Sequence, residues 1–505
     1  MQPAISEPSG PDHILPGART ALLLLLAINL FNYIDRYVLA AVLPKLELDA
    51  EMFSASDPWL KTKLGMLTTA FMITYMLLSP VFGWLGDQRS RWVLVGIGVI
   101  LWSLASGGSG LAIGFWMLIC TRCLVGVGEA AYGPVAPSML SDLYPEKQRG
   151  KVLSWFYMAI PVGSALGFVL GGQVAQTSLG WRGAFLVVVV PGIILGCFCF
   201  FMHEPPRDKS HSVKAGWGGY FHTVKHLLRI RSFRCATIGL TLICFIQGGV
   251  AVWAPYYVLE REARYQVSAK NLENLENLKS SDGTPLVPAN VIAEVHKIDQ
   301  STVFNRAEFR TELRKVLSKD DYEQHGSRII DAMPTEDSIT LGKVNFFVGA
   351  IVVLGGLLAT LFGGWLGDKL RDKYRGSYFL VSGYSAIIAF PLFLGMLYVP
   401  FPYAWILMFL AVFGLFVNTG PANTILANVT APTMRATGFA FNILIIHMLG
   451  DAISPTIIGY IADQTSLTRG FELAAFFTLI GGLIWVWGSR FLHEDTLAAA
   501  QDVPA

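Results

Sequence analysis

Apolar runs of about 20 residues follow one another along nearly the whole chain, each long enough as a helix to cross a ~30 Å hydrocarbon core. Twelve such runs are centred near Asn32, Ile73, Leu101, Ala130, Ser164, Val190, Gln247, Val353, Ala389, Gly414, Leu444 and Ile480. The pattern predicts an all-α integral membrane protein with twelve transmembrane helices. Asn29, Asn32, Asp35 and Arg36 interrupt the first run and no small-residue cleavage site follows it, so it reads as a retained span and not as a signal peptide. Two polar stretches break the rhythm. A basic one from Glu204 to about Ser232 divides the runs six and six, and a longer one extends from about Glu260 to Thr340. The expected organisation is a six-helix bundle over 1–203, a linker over 204–232, a second bundle over 233–492 with an insertion over 261–341, and a tail over 493–505. Within the insertion Phe309, Leu313, Val316 and Leu317 stand at i, i+4, i+7 and i+8, the spacing of an amphipathic helix. The segment is expected to be partly ordered, as a lid or as a solvated insert.

Composition agrees with a membrane protein: of 505 residues 53% are apolar and only 15% charged, and the mean hydropathy is +0.50. A net charge of +2 gives no reason to expect a nucleic-acid partner. The basic residues orient the spans, because Lys and Arg in short loops stay on the cytoplasmic side. Arg89, Arg91, Lys147, Arg149, Lys151, Lys369, Lys373, Arg375 and Arg435 fall in even-numbered loops, whereas the short odd-numbered loops hold Lys45, Lys61, Lys63, Arg182 and Arg469. Both termini are therefore expected in the cytoplasm and the insertion outside. The insertion lacks Asn-x-Ser/Thr, which agrees with a bacterial inner (plasma) membrane. No Walker-type Gly-Lys-Ser/Thr occurs, since Val152 follows Gly150-Lys151 and Val344 follows Gly342-Lys343, and neither a metal-ligand spacing nor a serine elbow is present. These readings point to a secondary transporter with no catalytic residue, metal or cofactor. A membrane lipid enzyme and a sensor that moves nothing are the competing classes.

One charged turn is written twice. GWLGDQRSR from Gly83 to Arg91 returns as GWLGDKLRDKYR from Gly364 to Arg375, after the second span of each half. The repeat predicts two pseudo-symmetric six-helix bundles. Its glycines would let helices approach closely, and Asp87, Arg91, Asp368 and Arg371 would supply contacts that break and reform as the bundles rock. This pattern resembles the Gly-x-Leu-x-Asp-basic-x-Gly-basic signature of the major facilitator superfamily, with Gln88 and Ser90 departing from it. The resemblance implies the major facilitator fold and alternating access.

Ionisable groups at membrane depth are costly and therefore candidates for function. In the first span Asn32, Asp35 and Arg36 share one side of a helix, and in the fourth Arg122 and Glu129 are seven apart, hence on one face. We read Asp35 and Glu129 as carriers of coupling protons, and Arg36 and Arg122, with Asn32, Asn418, Asn423 and Trp253, as the substrate surface. A static, charge-balanced network is the competing reading. His447 and Asp451, at i and i+4 in the eleventh run, would form a relay or gate, or a satisfied core pair. Gly163, Gly167 and Gly171 mark a close-packing face on the fifth span, where Phe168 replaces the proline of the superfamily's exporter motif.

NYIDRYVLAAVLP in the first span, RCLVGVGEAAYGPVAPSMLSDLYP in and after the fourth, and the GWLGD turn resemble the Spinster branch of the superfamily. That resemblance implies transport of an anionic amphiphile such as a lysophospholipid or sphingoid phosphate, with proton coupling, and carries Asp35, Arg36, Arg122 and Glu129 as functional residues. The alternatives are a proton-coupled organic-anion or sugar-acid symporter, and an uncoupled lipid facilitator. The expected partners are the lipid substrate, protons and the bilayer, for a chain acting as a monomer.

Overall fold

A computed structural model describes residues 14–54, 57–204, 217–279, 284–431 and 434–501. Among them twelve helices are long and apolar enough to cross a membrane: Ala18–Leu46, Leu60–Gly86, Arg91–Gly110, Phe115–Leu140, Trp155–Val174, Gly180–Cys199, Arg231–Glu262, Leu341–Arg371, Ser377–Tyr398, Tyr403–Val429, Thr437–Gln464 and Leu467–Gly488. We call them spans one to twelve. All twelve predicted run centres fall inside them. Of the linker, residues 205–216 lie outside the described set, and Trp217–Leu227 is a helix. A further helix, Leu492–Gln501, follows span twelve, and its Asp495 accepts from the amide of Ser232 at 2.7 Å, capping the start of span seven.

Helix contacts in lipid depend on close packing more than on water exclusion, so small residues decide where backbones meet. A Cβ on Gly163 or Gly167 would lie 2.7 or 2.5 Å from the carbonyl oxygens of Leu30 and Ile34, and one on Gly171 would lie 2.8 Å from Ala41 Cβ. The glycine face of span five is thus fitted against span one. The GWLGD glycines divide differently from expectation. A Cβ on Gly86 or Gly367 would press on Val135 or Tyr378 at 3.0 and 2.7 Å, whereas one on Gly83 would make only ordinary contact with Pro134 and one on Gly364 would meet no described atom within 4 Å. Only the second glycine of each copy permits a close approach.

Several spans are broken, and the freed backbone groups find partners, as they must in an apolar medium. Span ten divides into Tyr403–Phe416 and Thr419–Val429. The Leu415 carbonyl at that break accepts from Asn418 Nδ2 at 2.5 Å and from Gln247 Nε2 at 3.1 Å. Span eleven contains a π-helical turn over His447–Asp451, an irregularity that often accompanies functional sites.

The insertion is an ordered subdomain. Helices Ala269–Glu276, Ala289–Val295, Arg306–Val316 and Lys319–Ala332 pack with a two-stranded antiparallel pair, Arg264–Tyr265 with Phe304–Asn305. The amphipathic spacing at 309–317 is realised: Phe309, Leu313 and Leu317 are buried, and a capping box of Asn305 and Glu308 starts their helix.

Hydrogen bonds and ion pairs that join the two halves gather at the end where the insertion sits. There Thr69 donates to the Ala452 carbonyl at 2.6 Å, Asn345 donates to that of Ala41 at 3.2 Å, and Trp59 stacks on Tyr460 with ring centroids 5.6 Å apart. A Cβ on Gly65 or Gly459 would collide with the carbonyl oxygens of Pro455 and Lys61, respectively, in the other half. The molecule is closed at this end.

Candidate functional site

Spans one and four bring two charges together at membrane depth. Arg36 donates to Glu129 Oε2 from Nε at 2.7 Å and from Nη2 at 2.5 Å. The carboxylate is 1% exposed and the Arg36 side chain 19%, so the cation is the more accessible member of the pair. Its guanidinium lies over three rings, those of Tyr33, Phe71 and Tyr75, at 5.1, 5.0 and 5.0 Å from their centroids. A cation held by ring quadrupoles keeps its place without needing a carboxylate on every side. Asn32 lies beside Glu129 without a well-aligned hydrogen bond, leaving its Nδ2 and Glu129 Oε1 buried and unpaired.

A second pair of charges lies on the same helices, Asp35 next to Arg36 in span one and Arg122 two turns before Glu129 in span four, and serines of span three bind each of them. Asp35 accepts from the Ser106 hydroxyl through Oδ1, and its Oδ2 is buried without a partner. Arg122 donates to Ser109 Oγ from Nη2 at 2.8 Å and from Nε at 3.2 Å, and lies over the Phe185 ring at 5.1 Å. Ser109 in turn donates to Thr121 Oγ1 at 2.8 Å. Asp35 and Arg122 are 1% and 2% exposed, and among the described residues neither meets an opposite charge within 4.0 Å. The seven-residue spacing of Arg122 and Glu129 does place them on one face, yet they serve different partners.

The serines and the aromatic cage do not figure among the residues expected from sequence. A signal exists for the serines, since Ser103, Ser106 and Ser109 recur at i, i+3 and i+6 in an apolar run. None exists for Phe71 and Tyr75, which reach Arg36 from another span.

The remaining candidates are placed as follows. His447 Nδ1 lies 3.0 and 2.9 Å from the two Asp451 carboxylate oxygens, and both residues are partly exposed. Asn423 is exposed and donates to its own helix at the Thr419 carbonyl, 2.8 Å away. Asn418 is buried at the break of span ten. Trp253 is fully buried, and its indole donates to the Pro455 carbonyl at 2.9 Å, which ties span seven to span eleven. In this closed arrangement the side chains of Asn418 and Trp253 are buried and satisfy backbone carbonyls. Of the repeated turn, Arg91 donates to Asp142 at 2.5 Å and to Glu204 at 3.0 Å, within the first half. Asp368 accepts from the Tyr378 hydroxyl at 2.8 Å, and Arg371 is exposed. The Asp87 side chain lies outside the described residues.

Twelve membrane-crossing helices in two halves, with charges buried at membrane depth in the first, define the class of a multi-pass membrane transporter. The profile of the Major Facilitator Superfamily matches residues 25–269. Protein spinster homolog 1 of Homo sapiens is 30% identical over 524 residues, covering 98% of this chain and 85% of that one. Protein spinster homolog 3 of Danio rerio is 29% identical over 502 residues, covering 95% and 86%. The crystal structure of a bacterial homolog to the human lysosomal transporter Spinster, inward-facing and unoccupied, shares the fold with a TM-score of 0.68 at 18% identity, covering 95% of this chain and 98% of that one. The chain belongs to the major facilitator superfamily, in its Spinster-like branch.

Proposed function

We propose that this transporter moves an anionic amphiphile, of the lysophospholipid or sphingoid-phosphate kind, by alternating access coupled to protons. The observation that carries the reading is the Arg36–Glu129 pair: a partly accessible cation, caged by aromatic rings, with a buried carboxylate as its counter-charge. Protonation of Glu129 removes that counter-charge and leaves Arg36 free to bind an anionic head group through charge-assisted hydrogen bonds. The rings of Tyr33, Phe71 and Tyr75 hold the guanidinium in place through the exchange and offer apolar surface to a tail. Asp35, with one oxygen unpaired, is the second group able to take a proton, and Arg122 beside it responds to that change. His447 and Asp451, paired on the π-helical turn of span eleven, are the gate in this reading.

The test is flux of a labelled lysolipid panel, a sphingoid phosphate included, in proteoliposomes with and without an imposed pH gradient. Gradient-accelerated flux that Glu129→Gln and Asp35→Asn uncouple supports the proposal. Flux indifferent to the gradient makes the chain a facilitator. Absence of lipid flux, with uptake of a small organic acid, moves it to proton-coupled organic-anion or sugar-acid symport.

A further inference from the structure

The closed end is held by charges placed on helix termini. Span one ends there, and the last turn of a helix leaves carbonyls without an intrahelical partner. Those of Leu43, Lys45 and Leu46 accept from the amides of Glu47, Leu48 and Asp49, and that of Pro44 accepts from Arg306 Nη2 of the insertion at 2.7 Å. Span two begins there, with unpaired amides. Two of them, Lys61 N and Thr62 N, donate to the carboxylate of Asp463 at the end of span eleven, at 2.9 and 2.7 Å, and Thr62 Oγ1 adds a third bond at 2.7 Å. A cation thus sits on the negative end of one helix dipole and an anion on the positive end of the next. Both capped helices belong to the first half, and both capping side chains come from the second.

The insertion is built to carry its cap. It leaves span seven and returns to span eight, so its ends are covalently fixed to the second half. Arg261 at its root donates to the carbonyls of Met396 and Leu397, at 2.8 Å each, and to that of Val399, which ties it to the end of span nine. Inside it, Asn271 Nδ2 bridges the carbonyls of Gln266 and Met333 at 3.0 and 3.2 Å. From this base Arg306 and Arg310 each approach the buried carboxylate of Glu47 in the first half at 3.1 Å, while Tyr256 of span seven donates to it at 2.5 Å. Lys45 pairs with Asp331 at 2.7 Å and Ser54 donates to Glu323 at 2.9 Å on the outer rim.

We propose that the second half locks this end shut through a double helix cap, Arg306 on the carbonyl end of span one and Asp463 on the amide end of span two, with Glu47 holding Arg306 in place. The two caps act on consecutive helices of one rigid half, so opening breaks both together. Neither can be lost without biasing the other towards its open state. The insertion is therefore part of the gate, and its helix 306–316 is the bolt.

Hydrogen–deuterium exchange on the full chain in lipid nanodiscs tests this without any substrate, so its outcome is separate from that of the flux assay. Arg306→Gln should speed exchange by about fivefold or more at residues 60–69 and 452–463, which Arg306 does not touch, and Asp463→Asn should do the same at 43–50 and 306–317. Arg306→Lys, which keeps the charge, should recover most of the protection, and so controls for a general loss of fold. Lys270→Ala breaks the ion pair of Lys270 with Glu336 inside the insertion and should leave all four segments unchanged. If exchange rises only around each substituted residue, the caps are independent local contacts and the double lock is wrong. An equal rise throughout the chain in both variants, unrescued by Arg306→Lys, overturns it as well.

Discussion

Two buried carboxylates of this molecule are held by arginine, and they belong to different mechanical units. Glu129 and its partner Arg36 both come from the first half, so a rocking motion between halves carries the pair along intact. Glu47 also belongs to the first half, yet its arginines arrive from the insertion of the second, and the same motion pulls them apart. A charge pair within one body can hold or exchange a proton or an anion at any stage of the cycle. One that spans two bodies sets the free energy of opening. The chemistry is alike, and the division of the chain decides what each pair does.

The comparison breaks first, and by the largest amount, at Glu129. Removing one member of a fully buried ion pair costs about 3–5 kcal/mol, and the lower end applies here because the surviving Arg36 is partly exposed and held by three rings. Glu129→Gln should lower the thermal unfolding midpoint markedly and reduce coupled transport by about 100-fold. The double variant Glu129→Gln/Arg36→Gln should regain much of the stability and none of the transport. Stability that stays low in the double variant would show that the pair is not what was lost.

Glu47→Gln should behave differently. The arginines it abandons reach water once the insertion end opens, so the protein escapes part of the penalty by changing conformation. The expected loss of global stability is smaller, about 1–3 kcal/mol, and is accompanied by faster exchange at the closed end. Acid should imitate it. Burial pushes the Glu47 carboxyl up, but Arg310 and Arg306 outweigh burial, and with the Tyr256 hydroxyl and Lys61 they hold it below its ordinary value. A lowered carboxyl stabilises the state that lowers it at every pH above its unfolded value, and that contribution is lost only as pH falls through the shifted value. Exchange at residues 306–317, corrected for the intrinsic pH dependence of amide exchange, should therefore be insensitive to Glu47 ionisation down to the ordinary glutamate range, about pH 4.3, and rise only on acidification below it. A rise centred near pH 6 would assign the switch to another group.

The twelve spans were legible in the sequence because lipid imposes one length on every crossing helix. The Gly163–Gly171 face was legible too, since a repeat of four marks one side of a helix. Arg36 and Glu129 stood out as charges in apolar runs, though which acid would meet which base did not. Asp35 and Arg36 are adjacent in the chain, and only the placement of span three, with Ser106 and Ser109, separates their partners. The caps Arg306 and Asp463 were invisible for a related reason. Arg306 looks like an ordinary charge inside a polar insertion and Asp463 like one near the end of a run, and the meaning of each comes from a helix terminus in the other half of the chain.

The smallest effects are expected from glycines, and they sharpen the contrast between the two ends. A Cβ on Gly459 would press on the Lys61 carbonyl across the boundary, where overpacking costs about 1–3 kcal/mol in the closed state. In an open state that neighbour is gone and the helix keeps the roughly 1 kcal/mol advantage of Ala over Gly. Gly459→Ala should thus populate the open end at little cost to folding, read as faster exchange at 60–69 with a nearly unchanged unfolding midpoint. A Cβ on Gly364, in the repeated turn at the opposite end, would meet no described atom within 4 Å in this conformation, so Gly364→Ala should do no more than add the roughly 1 kcal/mol helix advantage of Ala. If Gly364→Ala instead impairs flux while leaving this conformation stable, the repeated turn needs its first glycine in the other state of the cycle, where the halves close on that end. The duplicated glycine would then be explained by a contact that forms only when the double cap at the insertion end is broken.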